Sequence, residues 1–119
     1  MSDTAPTPIL QARLPAGGLS VKIIGLGGTG SQVARGLCLY RGAAAADSRI
    51  VLLDGDAFEP GNASRMFFSR PGNKAEVLRA DLQPFLADSR VTLLAAGEYV
   101  TAENLPRWIA PGDIIFLCV

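Results

Sequence analysis

Apolar residues recur along this chain in two alternating rhythms. Short aliphatic runs end in glycine or aspartate, and longer stretches carry apolar positions every three or four residues. Ser20 to Gly25 (SVKIIG) is the first short run and predicts a buried strand. A glycine-rich turn over 25–30 follows. From Thr29 or Gly30 to about Arg41, Val33, Ala34, Leu37, Cys38 and Tyr40 trace one face of a helix, with Gly42 as its stop. Arg49 to Asp54 (RIVLLD) predicts a second buried strand with an acidic end.

The stretch 55–72 breaks the rhythm. It holds Gly55, Pro60, Gly61, Asn62, Pro71 and Gly72, and predicts a long functional loop with little regular structure. Asn73 is placed to cap a helix that starts at Lys74 and shows Val77, Leu78, Leu82, Phe85 and Leu86 to the core. Pro84 predicts a kink or an early end there. Arg90 to Ala96 is a third strand, Thr101 caps a short helix through Leu105 and Trp108, and Pro111-Gly112 ends it. Asp113 to Val119 (DIIFLCV) is a fourth strand. Strands alternating with helices predict an α/β fold: a doubly wound parallel sheet of about four strands.

Composition narrows the partners. With 119 residues the chain is one domain or part of one. Residues 1–19, with Pro6, Pro8 and Pro15, read as a flexible lead, and 20–119 as the domain proper. Eleven basic and eleven acidic residues cancel, so charge makes no case for nucleic acid or an anionic membrane. No apolar run approaches the ~20 residues that span a bilayer, and the N-terminus lacks the pattern of a signal peptide. Two cysteines and no histidine offer neither a disulfide framework nor a zinc cluster, and a cytoplasmic setting is expected. A hydrophobic share of 49% is high for so short a chain, and predicts that part of the sheet is covered by a partner subunit or further sequence.

The candidate chemistry begins at Gly25-Leu26-Gly27-Gly28-Thr29-Gly30, which leaves a strand and opens a helix. Glycine lets backbone N–H groups approach an anion closely, and the helix N-terminus adds unpaired donors and a positive dipole end. Asp54 stands 24 positions after Gly30, near the ~20 expected of a carboxylate that grips ribose hydroxyls. The plainer alternative for Asp54 is a cap on the following loop. Asn62 and Arg65 then follow Asp54 by eight and eleven residues, and Lys74 heads the next helix. An amide, a guanidinium and an ammonium near a glycine loop suit a triphosphate and the stabilisation of charge in phosphoryl or nucleotidyl transfer. The other lysine, Lys22, lies inside the first strand and is expected to snorkel to an edge. Cys38 and Cys118 both fall on buried apolar positions and read as inert core.

GLGGTGS at 25–31, LLDGDAFEPGNASRMFF at 52–68 and NKAEVL at 73–78 resemble the ThiF/MoeB superfamily of adenylating enzymes related to ubiquitin-activating enzymes. The shared pattern is GxGGxGS, then D-x-D-x-(V/F)-E-x-x-N-x-x-R-x-x-F, then G-x-x-K-A, and it runs from Ser20 to Val119. Within the superfamily, DGDxFEPGN is most similar to the ThiF-family member of the plasmid-associated PRTRC gene cluster. The resemblance implies a Rossmann-like fold, present here as its N-terminal nucleotide-binding half. It implies that Gly25, Gly27, Gly28 and Gly30 line ATP, that Asp54 holds the ribose, and that Asn62, Arg65 and Lys74 contact the phosphates, with Arg65 and Lys74 acting in catalysis. Asp56 belongs to the motif. The reaction implied is attack of the C-terminal carboxylate of a ubiquitin-like or sulfur-carrier protein on ATP, giving an acyl-adenylate and pyrophosphate, usually in a homodimer. Mg²⁺ would bind with the phosphates through an Asp expected just after Val119, which marks the chain as a truncated and by itself inactive portion. Two other readings stand beside it: a nicotinamide-dependent oxidoreductase domain, which shares the glycine loop and Asp54, and a non-catalytic scaffold that keeps the fold, which rests on the missing metal ligand and the absence of a nucleophile.

Overall fold

The computed structural model describes residues 18–44, 46–59 and 68–119. Its elements are β1 (Leu19–Ile24), α1 (Gly28–Gly42), β2 (Ser48–Leu53), β3 (Ala57–Phe58), β4 (Gly72–Asn73), α2 (Lys74–Leu82), a 3₁₀ turn (Gln83–Leu86), β5 (Val91–Ala96), α3 (Leu105–Trp108) and β6 (Ile114–Leu117). Four strands form one parallel sheet in the order β5-β2-β1-β6. The architecture is α/β and Rossmann-like, as the alternation of strands and helices predicts.

Alternation along β2 explains the two cores. Ile50 and Leu52 join Val21, Ile23 and Leu93 beneath α1 and α2, which contribute Ala34, Cys38, Ala75, Leu78 and Leu82. Val51 and Leu53 point the other way, to Ile24, Ala96, Trp108 and Ile109. All six residues of β2 are buried, as befits a strand covered on both faces. Cys38 is fully buried, and burial pushes its thiol up to about 11, so it is an inert core side chain.

Local signals act where the sequence places them. The Asn73 side chain accepts from the Glu76 N–H at 3.1 Å and caps α2. Pro84 converts the end of that helix into a 3₁₀ turn. Thr101 does not cap α3, whose N-cap is Asn104; instead Thr101 Oγ1 accepts from the Asn104 N–H while Asn104 Oδ1 accepts from the Thr101 N–H, a reciprocal pair that closes the turn before the helix. The loop 55–72 departs from expectation at its two ends, where β3 and β4 pair antiparallel, Ala57 with Asn73 and Phe58 with Gly72. Phe58 and Phe68 stack at 5.0 Å between ring centroids and tie the loop to the core.

Several expectations need correction. Phe85 and Tyr40, read as core-facing, are 68% and 71% exposed. Lys22 does not snorkel: it is 1% exposed, and its Nζ lies 2.5 Å from Asp113 Oδ2. Ser20 Oγ donates to the other carboxylate oxygen at 2.7 Å, so β1 and the start of β6 share a satisfied polar pair. Cys118 is only half-buried, because β6 is the outermost strand, with Ile114, Ile115 and Leu117 exposed. An apolar run alone does not distinguish a central strand from an edge. Among the described residues, no helix is long and apolar enough to cross a membrane.

Candidate functional site

Strand order fixes where a ligand can sit. The chain passes from β1 to β2 to β5 on one side, then returns to place β6 on the other side of β1. The strand order therefore reverses beside β1, and a crevice opens beyond the carboxyl ends of the strands. A cleft of about 420 Å³ lies there, within the ~300–1,000 Å³ range of small-molecule sites. Ile24, Leu26, Leu53 and Val100 give it apolar walls, and Asp54, Asp56, Lys74 and Glu98 bring charge to it.

The glycine loop is shaped by contacts a side chain would forbid. Gly25 adopts φ +93°, and a Cβ there would stand 2.7 Å from the Cys118 carbonyl oxygen. Gly30 faces the strand rather than the cleft: a Cβ on it would fall 1.8 Å from the Gly25 carbonyl oxygen. Gly27 has open space where its Cβ would be and lines the cleft with Gly25. Gly28 is exposed in the first turn of α1. Among the described residues no side chain caps that turn and it holds no acidic residue, so its first N–H groups keep donors in hand, and its N-cap Gly27 lines the cleft. The four glycines therefore split between lining (Gly25, Gly27), exposure at the helix start (Gly28) and close packing (Gly30).

Asp54 ends β2 and is 8% exposed. Its Oδ2 accepts from the Leu26 N–H at 2.6 Å and its Oδ1 from the Asp56 N–H at 2.8 Å. The carboxylate thus straps the glycine loop to the loop after β2, the plainer role weighed for it. Each oxygen keeps a lone pair for a further donor. Asn73 Nδ2 donates to the carbonyls of Asp54 at 2.9 Å and Asp56 at 3.2 Å, and the Lys74 N–H donates to Asp56 O at 3.0 Å. These bonds bring the start of α2 against the cleft. Lys74 is 7% exposed, and its ammonium stands 3.9 Å from Asp56 Oδ2, too far for a hydrogen bond. Among the described residues this nearly buried cation is so lightly partnered that it has donors to spare for an anion.

The structure brings Gly25, Gly27, Asp54, Asp56 and Lys74 to one cleft. Asn62 and Arg65 lie outside the described residues. The sequence reading missed Glu98, Tyr99, Val100 and Cys118, which also line the cleft. Their signal was positional: each follows the carboxyl end of a strand, where such sheets bind ligands. Glu98 Oε1 accepts from Asn104 Nδ2, an Arg107 terminal nitrogen and Trp108 Nε1, each at 3.1 Å, and so ties this rim to α3.

The chain is similar in structure to PaaA, with a TM-score of 0.68 and 22% identity over 83% of this chain and 30% of that one. It is also similar to E. coli TcdA, a tRNA N6-threonylcarbamoyladenosine dehydratase solved in complex with ATP. There the TM-score is 0.57, with 26% identity over 73% of this chain and 35% of that one. E. coli MccB with ATP gives a TM-score of 0.56 and 24% identity, over 73% of this chain and 26% of that one. The chain spans only about a quarter to a third of the length of these solved relatives. Among curated proteins, no sequence matches it. The family model described as ThiF family matches residues 11–119, nearly the whole chain. With a glycine loop, an acidic strand end and a lysine at the head of α2 around one cleft, the chain belongs to the ThiF family.

Proposed function

We propose that this chain is the ATP-binding portion of an adenylyltransferase that activates the C-terminal carboxylate of a ubiquitin-like or sulfur-carrier protein. One observation carries the reading: the Lys74 ammonium, buried yet 3.9 Å from Asp56, shares a cleft with an uncapped helix N-terminus. Both are suited to phosphate oxygens, and their positive charge and dipole favour an anion over a neutral ligand. Membership of the ThiF family supports it, as does the ATP bound in the TcdA structure.

In this reading the first-turn N–H groups of α1 and the ammonium of Lys74 hold the phosphates. Arg65 and Asn62 add a fork of donors and an amide. Asp54 accepts from ribose hydroxyls with the lone pairs left beside Leu26 and Asp56. ATP supplies the activated phosphorus: a substrate carboxylate oxygen bonds to the α-phosphorus as the bond to pyrophosphate breaks. The protein contributes placement and charge stabilisation, not a covalent nucleophile. Mg²⁺ would accompany the phosphates. Among the described residues no group of three or more His, Cys, Asp or Glu is gathered for a metal, and no residue of this chain is assigned to it. Residues 20–119 form the domain in this reading, and two copies pair, with the exposed edge of β6 as a surface to be covered.

Calorimetry of the protein with ATP·Mg²⁺ and with NAD tests the reading. ATP binding is expected, with Arg65→Ala weakening it roughly tenfold, the worth of a charge-assisted hydrogen bond. NAD binding without an ATP response would replace the reading by an oxidoreductase, and binding of neither by a scaffold. Light scattering that shows a monomer at high concentration would remove the pairing.

A further inference from the structure

The rim of the cleft carries a contact that the family pattern leaves open, since position 55 in D-x-D is unspecified. Tyr99, three residues past β5, donates its hydroxyl to Asp56 Oδ1. Its ring packs against Gly55, where a Cβ would come within 2.4 Å of Tyr99 Cδ2. Gly55 and Tyr99 are thus a matched pair: the missing side chain makes the seat for the ring.

Asp56 is held from several sides as a result. Its N–H is bonded to Asp54 Oδ1, its carbonyl accepts from Lys74 N–H and Asn73 Nδ2, and one carboxylate oxygen is taken by Tyr99. The remaining oxygen faces Lys74 Nζ at 3.9 Å. A mobile carboxylate beside an ammonium closes to about 2.8 Å. Closure would neutralise the cation, and an incoming anion would have to displace the carboxylate first.

We propose that Tyr99 is a positioning residue: seated on Gly55, it holds Asp56 off Lys74 and keeps the ammonium open to a phosphate-bearing ligand. The inference rests on the ATP reading above and names a device that tunes the same site. The hydrogen bond to Asp56, with the charges of Asp56 and Asp54, holds the Tyr99 phenol above its ordinary value, so the hydroxyl remains a donor through neutral pH.

The test is a cycle on the full protein, read by calorimetry with ATP·Mg²⁺ and by the NMR signal of the Lys74 ammonium without ligand. Tyr99→Phe keeps the ring and removes the hydroxyl; it is expected to shift the ammonium signal and weaken ATP about three- to fivefold, the worth of one partly exposed ion pair. Gly55→Ala unseats the ring and is expected to give the same loss by a second route. In an Asp56→Asn background, Tyr99→Phe is expected to change neither readout, because no charge remains to close on Lys74. An equal ATP loss in that background would overturn the inference in favour of simple ring packing. So would an unchanged affinity and an unchanged ammonium signal in both single variants. If the wild-type protein binds no ATP while the ammonium signal still shifts in Tyr99→Phe, the ATP reading fails and the positioning of Asp56 by Tyr99 stands.

Discussion

At the amino end of the sheet, Lys22 Nζ lies 2.5 Å from Asp113 Oδ2, and both side chains are almost wholly buried. At the carboxyl end, Lys74 Nζ stops 3.9 Å from Asp56 Oδ2, whose side chain is half exposed. The residue types match, but the surroundings do not. Asp113 also accepts from Ser20 Oγ at 2.7 Å and from the Ala110 N–H at 2.9 Å, so the protein itself supplies three donors to its two oxygens. The carboxylate is spent on the fold, and the pair fastens β6 to β1 in register. Asp56 is restrained by neighbours that keep it short of contact, which leaves a cation with unused donors on the wall of a cleft. A satisfied pair specifies the fold, while an unsatisfied one beyond the opposite end of the sheet marks the site.

The largest effect expected from this contrast is at the closed end. Asp113→Ala leaves a buried ammonium without a counter-charge and is expected to cost about 3–5 kcal/mol in urea unfolding. The double variant Lys22→Met/Asp113→Leu is expected to recover most of that, since an apolar pair of similar volume often replaces a buried ion pair without loss. Asp56→Ala at the open end is expected to cost under about 1 kcal/mol, as for an exposed pair. Comparable losses at the two ends would break the contrast.

Acid sharpens the same comparison. Burial alone would raise the Asp113 carboxyl, but the hydrogen bonds from Lys22, the Ala110 N–H and Ser20, with the Lys22 charge, outweigh it and hold the group below its ordinary 3.8. A depressed carboxylate adds stability above its unfolded value, and that stability is lost as pH falls through the folded one. The advantage of Asp113 over the apolar double variant is therefore expected to be constant near neutrality and to shrink below about pH 4.

Next in size is Lys74→Met. Among the described residues the ammonium has no hydrogen bond to lose, so unfolding free energy should hardly change. ATP affinity should fall roughly tenfold or more, the worth of a charge-assisted hydrogen bond. The pattern is the reverse of Asp113→Ala, where stability moves first. A Lys74→Met protein that unfolds early but binds ATP normally would make Lys74 a structural residue like Lys22.

The two ends also differ in how far they could be read from the chain. The glycine loop, Asp54 and Lys74 stand at fixed offsets from strand and helix signals, and local rules place them without knowledge of the fold. The Lys22–Asp113 pair joins residues 91 positions apart. It exists only because β6 returns beside β1, a neighbour relation that periodicity does not carry. The same gap explains Cys118: DIIFLCV has the composition of a central strand, and only the sheet order makes it an edge. Tyr99 was invisible for another reason. Its partner is a glycine 44 positions earlier, and a residue that acts by lacking a side chain leaves no pattern to match. The pairing of β3 with β4 spans two residues on each side, below any window in which alternation can be seen.

The smallest effect separates two jobs of one side chain at the open end. Asn73 caps α2 with its oxygen, and with its nitrogen it tethers the carbonyls of Asp54 and Asp56. Asn73→Ala removes both and is expected to cost about 1 kcal/mol, the usual worth of a cap. Asn73→Asp keeps an acceptor for the Glu76 N–H but loses the donor and sets a second negative charge beside Asp56. Its stability should lie near wild type, because acids are favoured at helix starts, while ATP affinity falls below that of Asn73→Ala. That inversion, the more stable variant binding less well, is what a site held open by restrained charge requires. If the two properties fell together in both variants, the tether would be mere scaffolding, and the contrast between the two ends of the sheet would rest on Lys74 alone.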